Sequence, residues 1–403
     1  LPEGTQSTLD SIHEDAVVDA FILYRRGKEI FEQPHTVETL RAAIDFYRQA
    51  LALDSGYAAA HAGLCSAYVE LYDETSDAEE IRQAEVACAA ALRSDSRLYM
   101  VHSALGALYA NTGRLTDAEQ AFRNALDINT KDVRAMAGLA DIYRRTQRFS
   151  EAEELFITAI DTQPGNWRTV NGYGRFLFTM GRYHDAAEQF RLVVSIDPDN
   201  ATARSNLGSA LMLAAEFEEA RQVLEETVAR EPIAKTYSSL GVILYYLADF
   251  EESVDSHRQA AELTPSDDVV WLNLADSLHF AGRTDESTDA YTRAREISAA
   301  RLDVDSSDGV AMTTLAWAEH MLGDSEAALK LIDKSLQIDP EDPYTYYYDA
   351  LIRYQTGDSD AALNSLAAAL EKGYPPGLLV AEPALGEIRA DDRFSAIIVE
   401  NIR

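Results

Sequence analysis

The chain repeats a small residue every 34 positions. Gly106, Ala140, Gly174 and Gly208 stand 34 apart, Gly241 and Ala275 follow at 33 and 34, and after an insertion Ala316 and Ala350 resume the spacing. Twelve residues after each comes Ala118, Ala152, Ala186, Ala220, Ser253, Ser287, Ala328 or Ala362. Seven further on lies Ala125, Ala159, Val193, Thr227, Ala260, Ala294, Ser335 or Ala369. A period of this length, sustained along a chain, predicts a linear stack of like units, each burying its apolar face against the next. The length of 403 residues would by itself suggest two or three domains, and the repeat overrides that expectation.

Each unit reads as two amphipathic helices. MAGLADIYRRTQ and FSEAEELFITAIDTQ, within 136–163, each carry an apolar stripe at spacings of three and four. Ala140, Ala152 and Ala159 let the helix axes approach, and Leu139, Tyr143 and Phe156 fill the remaining space. Polar turns such as NTGRLTD (111–117) separate the helices, with Gly113 or Gly181 as a helix stop. Acidic residues open the second helix at Glu151, Asp185, Glu218 and Glu251, beside the positive end of its dipole. Pro164, Pro198, Pro232, Pro265 and Pro340 close their units.

Leu-Gly-x-x-Tyr at 105–109, then Ala118, Phe122, Ala125 and a closing proline in later units, resembles the tetratricopeptide repeat, and Trp271 occupies that pattern's tryptophan position. The resemblance implies an all-α, right-handed superhelical solenoid of about ten helix-turn-helix units. They comprise a degenerate first repeat over 16–55, nine clearer ones over 58–374, an extended segment over 1–15 and a short helical cap over 375–403. The flanks, AFILYRRGKEIF onward and LAAALEKGYPPGLLVAEPALGEIRADDRF, are similar to the repeat regions following effector domains in bacterial winged-helix regulators and adenylate cyclases. No cyclase, kinase or DNA-binding module accompanies them, so that likeness implies only a sensory or scaffolding role.

A formal charge of −33, with six lysines, leaves no basic footprint for wholesale nucleic-acid binding and disfavours an anionic membrane surface. No apolar run approaches the length of a membrane span. The acidic, lysine-poor composition suits a saline or extracytoplasmic (periplasmic or secreted) setting as well as ordinary solubility. A processed product and a fragment would both begin, as this chain does, without methionine. Cys65, at the small position of one helix, and Cys88, four residues after Ala84 on its partner, face each other within a unit. They can close a disulfide or serve as two buried thiols.

No phosphate-cradling glycine loop, zinc-protease helix, Cys-x-x-Cys pair or nucleophile elbow occurs, so neither an enzyme nor a cofactor is expected. Asn200-Ala201-Thr202 is an acceptor triplet only in a glycosylating secretory route. Asp276, His279 and His320 would share a face in stacked repeats, either as a two-histidine, one-carboxylate metal set or as ordinary polar groove residues.

In the tetratricopeptide family the concave surface is lined by the first helix of each unit. Carried onto this sequence, that register gives a basic strip of Arg134, Arg144, Arg145, Arg168, Asn171 and Arg175. Farther along it turns aromatic, with Tyr245, His279, Trp317, His320, Tyr344, Tyr347 and Tyr354. Arginines there can fork a carboxylate, and accessible aromatics make large rigid contacts. The leading expectation is a non-catalytic interaction or scaffolding module holding an extended peptide or protein segment. That segment is acidic at the arginines and apolar or aromatic at the tyrosines, and a glycan is the lesser ligand. The alternatives are a solenoid self-assembling head to tail into filaments outside the cytoplasm, and the sensory half of a larger bacterial regulator.

Overall fold

Apolar residues at helical spacing and a turn after every thirteen or so make the helices pair off in sequence order. In the computed structural model, which describes residues 3–33, 36–198, 200–230 and 232–401, there are ten such pairs. They are α1 (Glu3–Phe31) with α2 (Val37–Leu53), α3 (Ala58–Thr75) with α4 (Ala78–Ser94), and α5 (Tyr99–Asn111) with α6 (Leu115–Ile128). Next come α7 (Val133–Arg145) with α8 (Phe149–Thr162), α9 (Trp167–Thr179) with α10 (Tyr183–Ile196), and α11 (Ala201–Leu213) with α12 (Phe217–Arg230). The remaining pairs are α13 (Ala234–Tyr246) with α14 (Phe250–Leu263), α15 (Asp268–Phe280) with α16 (Thr284–Val304), α17 (Gly309–Met321) with α18 (Ser325–Ile338), and α19 (Pro343–Gln355) with α20 (Ser359–Glu371). A tail of α21 (Pro376–Ala381), a 3₁₀ helix (Pro383–Ala390) and α22 (Asp392–Asn401) follows. Among the described residues no strand forms, and no helix is long and apolar enough to cross a membrane.

The small residues do what close helix approach requires. Gly106 lies so near Phe122 that a β-carbon there would come within 2.5 Å of the ring. Their partners Ala118 and Ala125 have no exposed surface. Aspartates cap the first helices: Asp132, Asp267, Asp308 and Asp342 each accept from a backbone N–H in the first turn. The turns inside nine of the pairs each hold one left-handed residue, which is Gly113, Gly181, Gly282, Gly323 or Gly357 in five of them and Ser76, Gln147, Ala215 or Ala248 in four.

The chain divides into two compact units, Leu1–Phe176 with Leu192–Asn200, and Leu177–Arg191 with Ala201–Arg403. Unit 1 has a core around Tyr47, Leu71, Phe156 and Phe176, each less than 2 % exposed. It also contains a Cys65–Cys88 disulfide with Cα atoms 5.2 Å apart. Unit 2 buries polar core residues that pair in part: Ser253 donates to the Gly241 carbonyl at 2.7 Å and Ser277 pairs with His257 Nδ1 at 3.0 Å, while His257 Nε2 has no hydrogen-bond partner among the described residues.

Two expectations change. The segment over 1–15 was expected to be extended, yet α1 runs from Glu3, since no proline after Pro2 interrupts the helix before Phe31. The tail does more than cap the last repeat. Its last helix, α22, packs on α20, with Arg393 paired to Asp360 at 2.6 Å. The stretch before it lies against the first helices of unit 2, close enough that a β-carbon on Gly377 would meet Ala215 at 2.5 Å.

Candidate functional site

In unit 1 the first helices line a cavity of about 540 Å³. Phe31, the last residue of α1, is one of its lining residues, and its ring lies under the guanidinium of Arg134 at 4.9 Å and of Arg168 at 5.3 Å. Arg168 donates through Nη2 to the Phe31 carbonyl at 2.7 Å and also stands 4.8 Å from the Trp167 ring. Burial, the largest influence, pulls its pKa down to about 10, and the nearby charge of Arg134 acts in the same direction. Arg134 stays exposed and approaches Glu70 at 3.8 Å.

The other members of the basic strip go elsewhere. Arg144 is held by Asp141 through Nε and Nη2 at 3.0 and 2.8 Å, and Arg145 donates to the Ala110 carbonyl at 2.9 Å. Asn171 and Arg175 sit on α9 outside the cavity lining, and Arg175 lowers the pKa of Asp73, which burial nevertheless raises to about 6. So two of the six residues share a cavity. The register identified the helix face but not Phe31, which belongs to the degenerate first pair and carries no repeat signal.

In unit 2 the aromatic residues come together around the chain's own tail. Glu382, 1 % exposed, accepts from the Tyr245 hydroxyl at 2.7 Å, the Tyr347 hydroxyl at 2.6 Å and the Ala384 amide at 3.0 Å. Burial raises its pKa against those three hydrogen bonds. Tyr347 stacks on Tyr374 at 4.8 Å, Tyr344 meets the same ring edge-on, and the Tyr354 hydroxyl accepts from the Glu387 amide at 3.0 Å. A partner segment was expected on these tyrosines; residues of 374–387 occupy them instead, because the tail's apolar residues and one carboxylate match that surface. Trp317 and His320 are likewise buried, at 2 and 9 % exposure, rather than on an accessible wall. Nothing in the repeat register signals Glu382, since the tail lies outside it.

The Asp276, His279 and His320 set does not assemble. Asp276 accepts from Tyr291 at 2.6 Å and Trp317 Nε1 at 2.8 Å, and His320 bonds Ser325 and Gln355 at 2.8 and 3.0 Å. His279 is exposed beside Phe280. Among the described residues no cluster of three metal-ligating side chains occurs.

The tetratricopeptide-repeat family profile matches residues 109–171 and 177–239, and a second profile of the same repeat matches 268–341. The chain is a tetratricopeptide-repeat protein. It is 31% identical over 64 residues to the peroxisomal targeting signal receptor of Candida albicans, a match covering 16% of this chain and 11% of that receptor. The chain thus spans about a tenth of the length of the curated relatives it matches. Among solved structures it is similar to a human IFIT1 dimer with m7Gppp-AAAA, at TM-score 0.49 and 14% identity over 79% of this chain and 71% of that one. It is also similar to the C-terminal part of a repeat-containing protein from Cytophaga hutchinsonii, at TM-score 0.43 and 18% identity over 60% and 96%. Tetratricopeptide repeats generally bind protein or peptide partners, so this chain is an interaction scaffold in that general sense.

Proposed function

We propose that the chain is a non-catalytic scaffold that holds an extended, acidic peptide segment on the inner face of unit 1. The observation that carries this reading is the pair Arg134 and Arg168 flanking Phe31 in one cavity. Four basic residues line that cavity (Lys28, Lys131, Arg134, Arg168) against three acids (Glu32, Glu70, Asp132), on a chain whose net charge is −33. A guanidinium that burial strips of part of its hydration, yet leaves charged, gains most from an incoming carboxylate, which it can hold with two parallel hydrogen bonds. The Phe31 ring and the Trp167 ring offer apolar surface beside it.

The test is fluorescence polarisation with a panel of acidic peptides and their Glu→Gln counterparts. Arg134→Glu with Arg168→Glu should weaken the acidic peptides at least about a hundredfold, since charge-assisted hydrogen bonds contribute roughly 1.5–3 kcal/mol each. Arg144→Glu, whose partner is Asp141, should change little. Equal affinity for the glutamine peptides, or an unaffected double variant, would sink the reading.

A further inference from the structure

Where the tail crosses unit 2 it does not fill the space beneath it. A cavity of about 190 Å³ remains between α13, α15, α19 and the tail. That is below the ~300–1,000 Å³ of sites for drug-sized ligands, so only a small molecule fits. Its walls are aromatic: Tyr245 and Tyr246 stand at 77° to each other, and Tyr347 and Tyr348 at 63°. Two carboxylates face the same space, Asp276 from α15 and Glu382 from the tail, while no Lys or Arg is among the lining residues.

The charge is unbalanced. Glu382 spends both oxygens on the hydrogen bonds from Tyr245, Tyr347 and Ala384, and Arg389, which is exposed, acts on it more weakly than those bonds. Asp276 engages Oδ1 with Tyr291 and Trp317, and among the described residues none donates to Oδ2. Burial raises the pKa of both acids, Asp276 to about 7, so they hold protons where a solvated carboxyl would not, and an entering cation can take over from those protons. Aromatic faces in the same enclosure attract an organic cation.

We propose that this tail-closed cavity is a binding site for a small alkylammonium ion, held by Asp276 and Glu382 and enclosed by Tyr245, Tyr246, Tyr347 and Tyr348. The tail supplies one of the two acids and one wall, so the groove of unit 2 becomes a pocket only when the tail is seated. His257, the remaining ionisable group of the lining besides the tyrosines, is kept neutral near pH 7 because burial lowers its pKa to about 4. It therefore does not offset the acids.

The site predicts a spectroscopic reporter, because Trp317 Nε1 shares the Asp276 carboxylate. Choline should bind the full-length chain in a calorimetric titration and shift Trp317 emission. Its uncharged isostere, 3,3-dimethylbutan-1-ol, should bind at least tenfold more weakly. Asp276→Asn, which keeps an acceptor for Tyr291 and Trp317, should lose at least tenfold in choline affinity, and Tyr348→Leu should lose affinity with Asp276 intact. Circular dichroism of both variants checks that they fold. Equal binding of the alcohol would reduce the cavity to an apolar pocket and overturn the proposal. Absence of choline binding to the wild-type chain at millimolar concentration would do the same, as would folded variants that bind it unchanged.

Discussion

The two units build the same helix pairs and treat the inner face in opposite ways. Unit 1 lines it with arginines around Phe31 and leaves a cavity of about 540 Å³. Unit 2 lines it with tyrosines and covers it with Leu378, Leu379 and Glu382 of its own chain, leaving about 190 Å³. Each face also receives a segment from outside the regular repeats, the end of α1 in unit 1 and the tail in unit 2. The difference lies in what those segments present. Phe31 offers a ring and one carbonyl to two guanidinium groups, and brings no carboxylate to them. Glu382 presents both carboxyl oxygens to two hydroxyls and an amide, so its own hydrogen bonds are made within the chain. A repeat thus fixes which residues look inward, while the irregular ends decide whether that face stays open.

The sharpest way to break the comparison is to end the chain at Tyr374. Leu378, Leu379, Leu385 and Ile388 are all under 5 % exposed, and at roughly 1.5–3 kcal/mol each their loss should cost unit 2 more than about 5 kcal/mol. Hydrogen exchange should rise across α13, α15 and α19 while α3 to α8 keep their protection; a uniform change would deny the tail its special place. Reducing the Cys65–Cys88 bond does the converse to unit 1. With the cysteines 23 positions apart in sequence it should cost about 3 kcal/mol, read as a lower denaturant midpoint and faster exchange in α3 and α4.

The next effect separates burial from charge in unit 2. Burial raises Asp276 from 3.8 to about 7, with Glu382 adding to it and the hydrogen bonds from Tyr291 and Trp317 opposing. Tyr245 and Tyr348 face the same group and stay protonated, since burial raises both well above the ordinary range. The folded chain therefore keeps this proton where the unfolded chain has lost it, a contribution complete below about pH 4 and lost as pH rises through 7. Asp276→Asn should stabilise the protein at pH 8 by roughly 1–3 kcal/mol, discounted for the part of Asp276 still open to the cavity, and by less at pH 5. An advantage independent of pH would contradict the assignment. The smallest effect is at the turns. Ala248 holds φ +63°, so Ala248→Gly should raise stability by about 1 kcal/mol. Ala215→Gly should gain less, because the Ala215 methyl packs against Gly377 of the tail.

Much of the architecture is legible in the sequence because it rests on short-range rules. Gly106 against Phe122 and the aspartate caps follow from helix spacing and hydrogen bonding alone. The 34-residue period also places the left-handed turn residue, even where Gln147, Ala215 or Ala248 stands in for glycine. The sites are less legible. Arg134 and Arg168 are visible by register, but Arg144 is not distinguishable from them until Asp141, three residues back, is seen to hold it. Tyr245 and Tyr347 are visible as inward aromatics, yet their occupant lies 137 and 35 residues away, in a segment with no periodic pattern. Long-range pairing of that kind leaves no local trace in a single sequence.

The most direct test of the contrast between open and self-filled faces is hydroxyl-radical footprinting read by mass spectrometry. Tyr344, 49 % exposed, is the internal positive control, and Tyr347 and Tyr374, at 9 and 3 %, report whether the tail is seated. Strong labelling is expected at Tyr344 and at Met100 and Trp167 in the unit 1 cavity, with Tyr347, Tyr374 and Leu385 protected. Labelling of Tyr347 and Tyr374 at the rate of Tyr344 would mean that the tail does not occupy unit 2, and the contrast would fall.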